Sequence, residues 1–185
     1  KRTADMGLFG NLFGKKEGGK GGFSYISEIA KLLTDNETVH ANLKFALDTP
    51  DKYFTENEWR YAERGFVVGK TDRKTLYWLA LVDELAEGGS VFEVDYKCEP
   101  DEFRGALERL SNYGMIESVF SSLDLSEDGD IEVWGEELNA SLGEKAFVGY
   151  IDIDSDSYPL VIMDGGALDK LQRLAADNDH KIEGF

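Results

Sequence analysis

The run Phe147-Val148-Gly149-Tyr150-Ile151-Asp152-Ile153-Asp154-Ser155-Asp156-Ser157-Tyr158-Pro159-Leu160-Val161-Ile162-Met163 reads as two strands joined by a polar turn. β-Branched and aromatic residues fill its two ends, and the Asp/Ser alternation between them supplies turn chemistry. The spacing predicts strands over 147–154 and 158–163. A connection this short joins antiparallel strands, because a parallel pair needs a crossover of a dozen residues or more.

Working outward, Ser90 to Tyr96 alternates, with Phe92, Val94 and Tyr96 on one face and Glu93 and Asp95 on the other. This is the pattern of a half-buried strand. Pro100 then suits the first position of a helix whose face is Phe103, Ala106, Leu107 and Leu110. Further strands are predicted over 117–123 and 130–134, a helix around Leu168, Leu171, Leu174 and Ala175, and a short edge strand over 181–185. Before residue 90 the pattern is helical. Ile26, Ile29, Ala30 and Leu33 form one stripe, and Val39, Leu43, Ala46 and Leu47 a second. Thr55 is placed to cap a helix carrying Trp59 and Tyr61, and Asp72 the next, which runs to Gly88-Gly89. From Leu76 to Val82 that last helix is apolar on every side, so it is expected to be central and buried. Helices first, then antiparallel pairs with packed helices, is an α+β order rather than a doubly wound one.

The chain has 185 residues, 37 acidic and 20 basic, for a net charge of −17. Hydrophobic residues make up 42%, enough for a packed core, so the acidity does not imply global disorder. This balance argues against direct nucleic-acid binding through phosphate neutralisation. One cysteine, Cys98, excludes an internal disulfide and suits a reducing, cytoplasmic setting. No apolar run is long enough to span a membrane, and no signal peptide is read.

Residues 1–22 read as a flexible Gly/Lys-rich lead ahead of one α+β domain over 23–185, with residues 1–5 an addition before a natural start at Met6. Leu8, Phe9, Leu12 and Phe13 would share one side of a short helical turn there. Asn11 stands where a myristoylation signal needs Ser or Thr. The lead holds five basic and two acidic side chains, so residues 23–185 carry −20.

Gly65 to Thr71 imitates a phosphate-binding loop but has three residues between its glycines where four are needed. Asp124 to Glu132 resembles the start of an EF-hand loop, with Asp124, Ser126, Asp128 and Asp130 as calcium ligands. Its twelfth position is Gly135, not Glu, and the preferred reading is a hairpin turning at Asp128-Gly129. Asp152, Asp154 and Asp156 read as an outward row on a strand and the following turn. Cys98 precedes a helix start, but Glu99, Asp101 and Glu102 oppose a thiolate, so an inert thiol is expected. His40 reads as an ordinary helix residue, and two isolated histidines define no catalytic arrangement, so no enzyme is read.

Two acidic clusters stand out. Residues 124–137 hold seven acids and no base, and residues 83–102 hold eight acids against Lys97. Fields of one sign steer an oppositely charged partner. The expected contacts are Glu127, Asp128, Asp130, Glu132, Asp152, Asp154 and Asp156, with Trp134 and Tyr150 as aromatic anchors.

Glu93-Val94-Asp95-Tyr96-Lys97 before a helix, with Ser155-Asp156-Ser157-Tyr158 between two late strands, resembles an uncharacterised bacterial family of unknown function. The late hairpin is also similar in style to the SUKH-type immunity superfamily. The first resemblance implies no activity. The second implies neutralisation of a toxin by a small acidic α+β protein. The function expected is therefore an acidic, immunity-like binding protein that masks a basic partner such as a nucleic-acid-targeting toxin. A calcium-binding domain and an enzyme with an unrecognised site are the alternatives.

Overall fold

In the computed structural model, residues 22–185 are described, and the lead with its Leu8, Phe9, Leu12 and Phe13 turn lies outside them. The first half is helical: α1 (Ser24–Leu33), α2 (Glu37–Asp48), α3 (Pro50–Glu56), α4 (Glu58–Glu63) and α5 (Arg73–Glu87). Next come β1 (Phe92–Asp95), α6 (Pro100–Glu108), a 3-10 turn at Tyr113–Met115, α7 (Glu117–Phe120) and α8 (Ile131–Leu142). The chain closes with β2 (Ala146–Asp152), β3 (Ser157–Asp164), α9 (Leu168–Ala176) and β4 (Lys181–Gly184). The fold is α+β, as read from the sequence.

The four strands form one antiparallel sheet in the order β1-β3-β2-β4. Its alternating side chains feed two cores. Ile151, Val161, Met163 and Ile182 join the layer built from α1, α2, α5 and α9. Val94, Ala146, Val148, Leu160 and Ile162 join the layer of α6, α7 and α8. Helices thus cover both faces, which explains why Leu160 to Met163 is a continuous apolar run rather than an alternating one.

The predicted punctuation of α5 and α6 holds. Asp72 accepts the Thr75 N–H at 3.0 Å, and α5 ends at Gly88, with Gly89 left-handed at φ 75°. Pro100 opens α6, and Glu102 reaches back to accept the Glu99 N–H at 3.0 Å. Every residue from Leu76 to Leu85 is buried, so α5 is the central helix expected.

Three local readings are corrected. Thr55 lies inside α3, and Asn57 begins α4. The strand expected over 117–123 is the short helix α7, because Ile116 and Phe120, four apart, are buried while Glu117 and Ser118 are exposed. The strand expected over 130–134, and with it the Asp128-Gly129 hairpin, is replaced by α8. Asp130 caps that helix, its Oδ1 accepting the Glu132 and Val133 N–H groups at 3.1 and 3.0 Å. Ile131, Trp134, Leu138 and Leu142 carry the buried face at helical spacing.

Candidate functional site

The C-terminal ends of β1 and β2 and the start of β3 lie at one end of the sheet, since Asp95 is opposite Ser157 and the β2–β3 turn follows Asp152. The Tyr96 N–H donates to the Asp156 carbonyl at 3.1 Å, fixing the β1–α6 connection against that turn. Tyr158 reaches from β3 to donate its hydroxyl to Glu132 Oε1 at 2.9 Å, drawing the start of α8 to the same end. Three acidic segments far apart in sequence are brought together by these bonds.

Between them lies a cleft of about 350 Å³, with Tyr96, Lys97 and Glu99 on one wall, Glu127 and Asp130 on the other, and Trp134 as its floor. Gly129 allows the loop before α8 to lie on that floor, since a Cβ there would stand 2.5 Å from the indole nitrogen. The same nitrogen donates to the Ser126 carbonyl at 2.9 Å. Tyr96 and Val133 are exposed large side chains at this end. The Lys97 ammonium stands 4.9 Å from the Tyr96 ring centroid, so the one base on the walls is engaged locally.

A second cleft, about 520 Å³, adjoins on the far side of Cys98, between β1 and α6. Glu93, Asp95, Asp101 and Glu102 line it against Arg109. Cys98 belongs to both clefts, yet its thiol is pushed up to about 11, chiefly by burial and then by the Glu102 and Asp95 carboxylates. The acids defeat the helix start, and the thiol is a poor nucleophile.

The expected contact residues do not all have the roles assigned to them. Glu127, Asp128, Asp130 and Glu132 are exposed. Trp134 is 1% exposed and is a core residue, so it forms the floor of the cleft and is not a surface anchor. Tyr150 is half-buried, packs on Tyr158 and Phe185, and donates to Glu183 at 2.7 Å. The outward row of Asp152 and Asp154 is corrected as well. Asp152 accepts the Asp154 N–H at 2.9 Å and pairs with Lys181 at 3.5 Å. Asp154 lies past the end of β2 with a left-handed φ of 61°, which turns the chain before Asp156.

Of the four residues considered for calcium, Asp130 spends one oxygen on the α8 cap and Ser126 accepts the Asp128 N–H at 3.3 Å. Among the described residues no group of three or more His, Cys, Asp and Glu side chains is placed to hold one metal ion. His40 bonds through Nε2 to the Thr34 carbonyl at 3.0 Å and lines neither cleft.

A different polar cluster was hidden in the sequence. Glu84 is 2% exposed, and its oxygens accept from Tyr53 at 2.6 Å, Asn42 at 2.7 Å and Arg60 at 2.9 Å. Next to it, Arg64 joins Asp83 at 3.0 Å to Glu93 at 2.8 Å, tying α5 to β1. Burial raises the Asp83 carboxyl above its usual range, with Arg64 opposing the shift, and it drives Tyr53 and Tyr61 upward too. Two adjacent acids directly after the apolar run Leu76 to Val82, with arginines four apart at 60 and 64, were the available signal. Glu84 thus binds α5 to α2, α3 and α4, and Arg64 ties that helical half to the sheet through Glu93.

The pattern of one protein family matches residues 26–185, nearly the whole of the described chain. The chain belongs to DUF6630, a family of domains of unknown function. No curated protein and no solved structure matches it. A family of unknown function is consistent with the uncharacterised family expected from the strand and turn motifs, and this DUF6630 domain spans both cores and both clefts. No helix among the described residues is long and apolar enough to cross a membrane.

Proposed function

We propose that this DUF6630 domain is an acidic binding protein that masks a basic protein partner. The observation that carries the reading is the convergence of acids from three segments, around Glu99, Glu127 to Glu132 and Asp156, on one end of the sheet. Carboxylates gathered on one surface raise the local potential and speed encounter with a positive surface. The exposed Tyr96 beside the first cleft supplies an aromatic contact that Trp134 cannot. A protein that grips nucleic acid must itself present a basic face, so a nucleic-acid-targeting toxin is a partner class that fits. Occlusion of that face would be the immunity-like mechanism.

The test uses the full chain as bait at low ionic strength beside the variant Glu127→Lys/Asp130→Lys. The expected partner is basic, is retained by the native chain, and is lost both on raising salt to about 0.5 M and on charge reversal. Retention indifferent to both changes overturns the reading.

A further inference from the structure

The second cleft has a feature that the acids alone do not explain. β1 is an edge strand, bonded to β3 on one side only. Its phase is set by the Tyr96 N–H, which donates to Asp156, the residue opposite it. In an antiparallel ladder, hydrogen-bonded and non-bonded pairs alternate. Val94 and Phe92 therefore bond to Tyr158 and Leu160, while Glu93 and Asp95 face Pro159 and Ser157 as non-bonded pairs. Pro159 has no N–H to give, which agrees with that phase. The Glu93 N–H, the Glu93 carbonyl and the Asp95 N–H point away from the sheet, and none has a partner among the described residues. The Asp95 carbonyl is taken by the Cys98 N–H at 3.0 Å, which ends the open edge.

We infer that this edge accepts an extended, basic segment of the partner as a fifth strand, laid in the cleft between β1 and α6. The inference rests on the reading of an acidic surface that meets a basic partner. Main-chain bonds would supply the attachment and alternate side chains the selectivity. Across the cleft, Asp101 and Glu102 are exposed in the first turn of α6, and Gly105 leaves open space where a side chain would stand. The Glu93 carboxylate is held by Arg64 and Arg109 lies over the Phe92 ring, so lysine or arginine side chains on a strand in this position meet Asp95 on the β1 side and Asp101 and Glu102 on the α6 side. A second copy of the chain is disfavoured as the occupant, because it would bring the same acids to the edge.

The test is amide hydrogen exchange of the full chain, with an alternating lysine–threonine octapeptide as probe and a glutamate–threonine octapeptide as control. The basic probe is expected to slow exchange at Glu93 and Asp95 by about tenfold or more. Both Asp95→Pro and Asp95→Ala lose the Asp95 carboxylate and the bond it accepts from the Lys97 N–H, and Asp95→Pro alone also removes the backbone N–H, whereas Asp95→Ala keeps it. The proline variant is expected to bind the probe about three- to tenfold more weakly than the alanine variant. Should Asp95→Pro fail to fold, the exchange measurement on the native chain decides alone. Binding of the basic probe that is lost in Glu127→Lys/Asp130→Lys without protection of Glu93 and Asp95 overturns strand addition and leaves the acidic-surface reading standing. Equal protection by both probes overturns it, as does no binding. Protection without peptide also overturns it. If that protection fades on dilution, the occupant is a second copy. If it is lost when Lys15, Lys16 and Lys20 are changed to Glu, the occupant is the chain's own lead.

Discussion

Removal of the Glu84 carboxylate tests whether the seam between α5 and its neighbours is a closed clamp. In Glu84→Ala, three donors lose their acceptor together: the Tyr53 hydroxyl, the Asn42 amide and one arm of Arg60. Stripping one partner from a buried pair costs about 3–5 kcal/mol, because the other charge stays desolvated. Arg60 keeps Glu87, whose side chain is 56% exposed, so the guanidinium is not left wholly unpaired and the lower end applies. We expect a loss of about 3 kcal/mol. In a domain of this size that lowers Tm by about 6–12 °C. Glu84→Gln keeps one acceptor oxygen and is expected to lose about half as much. The assay is urea unfolding with the slope checked for constancy, so that a midpoint shift reports stability alone. Lys44→Ala is the control, since its pair with Asp48 is solvent-exposed and is worth about 0.5 kcal/mol or less. A Glu84→Ala cost below about 1 kcal/mol would refute the reasoning, since a desolvated pair cannot be broken so cheaply.

Two further outcomes follow from buried titratable groups. His180 stacks on Trp78 at 4.1 Å, and its Nε2 has no partner among the described residues. Its pKa falls to about 4, first through burial and then through Lys74, with Asp179 and Asp72 opposing. The unfolded ring, near 6.5, takes up its proton first, so this contribution is present above that pH and is lost as pH falls towards about 4. A full shift would be worth about 3 kcal/mol, and solvent contact at the half-buried ring brings it nearer 1–2 kcal/mol. His180→Phe keeps the stacking, so the urea midpoint should drop less between pH 7 and 4.5 than in the native chain; an equal drop refutes the assignment. The Cys98 thiol, pushed up to about 11 by burial and the nearby acids, should react with dithionitrobenzoate about a hundredfold more slowly than a free thiol at pH 8. It should match a free thiol in urea, and a fast native reaction would show that it is neither buried nor shielded by its acids.

Local signals were legible wherever one face of an element carried its chemistry. Asp72, Pro100 and the Gly88-Gly89 stop marked helix ends because capping is a matter of a few neighbouring residues. The α8 segment misled because Ile131, Glu132 and Val133 alternate like a strand for three residues. Its helical period shows only when Trp134, Leu138 and Leu142 are counted, and Asp130 reads as a turn residue until its side chain is seen capping. Trp134 was placed in a partner interface by its acidic neighbours, although sequence proximity to charge says nothing about which way an indole faces. It faces the core with Phe103 at 5.7 Å.

The candidate site was half legible. The acids of residues 83–102 and 124–137 stood out as two clusters, but their fates diverge. Asp83 and Glu84 turn inward onto Arg64 and Arg60, while Glu99, Glu127 and Asp130 line one cleft. By itself the sequence determined the α+β class, the late antiparallel pair, the buried α5 and the excess of negative charge, since periodicity, turn chemistry and composition are local or additive properties. Only the tertiary structure decided which acids share a surface, which are consumed in ion pairs, and that β1 is left at an edge with open backbone groups. Those outcomes depend on strand order and helix packing. Both are set by burying two cores on opposite faces of one sheet, a condition no single segment can carry.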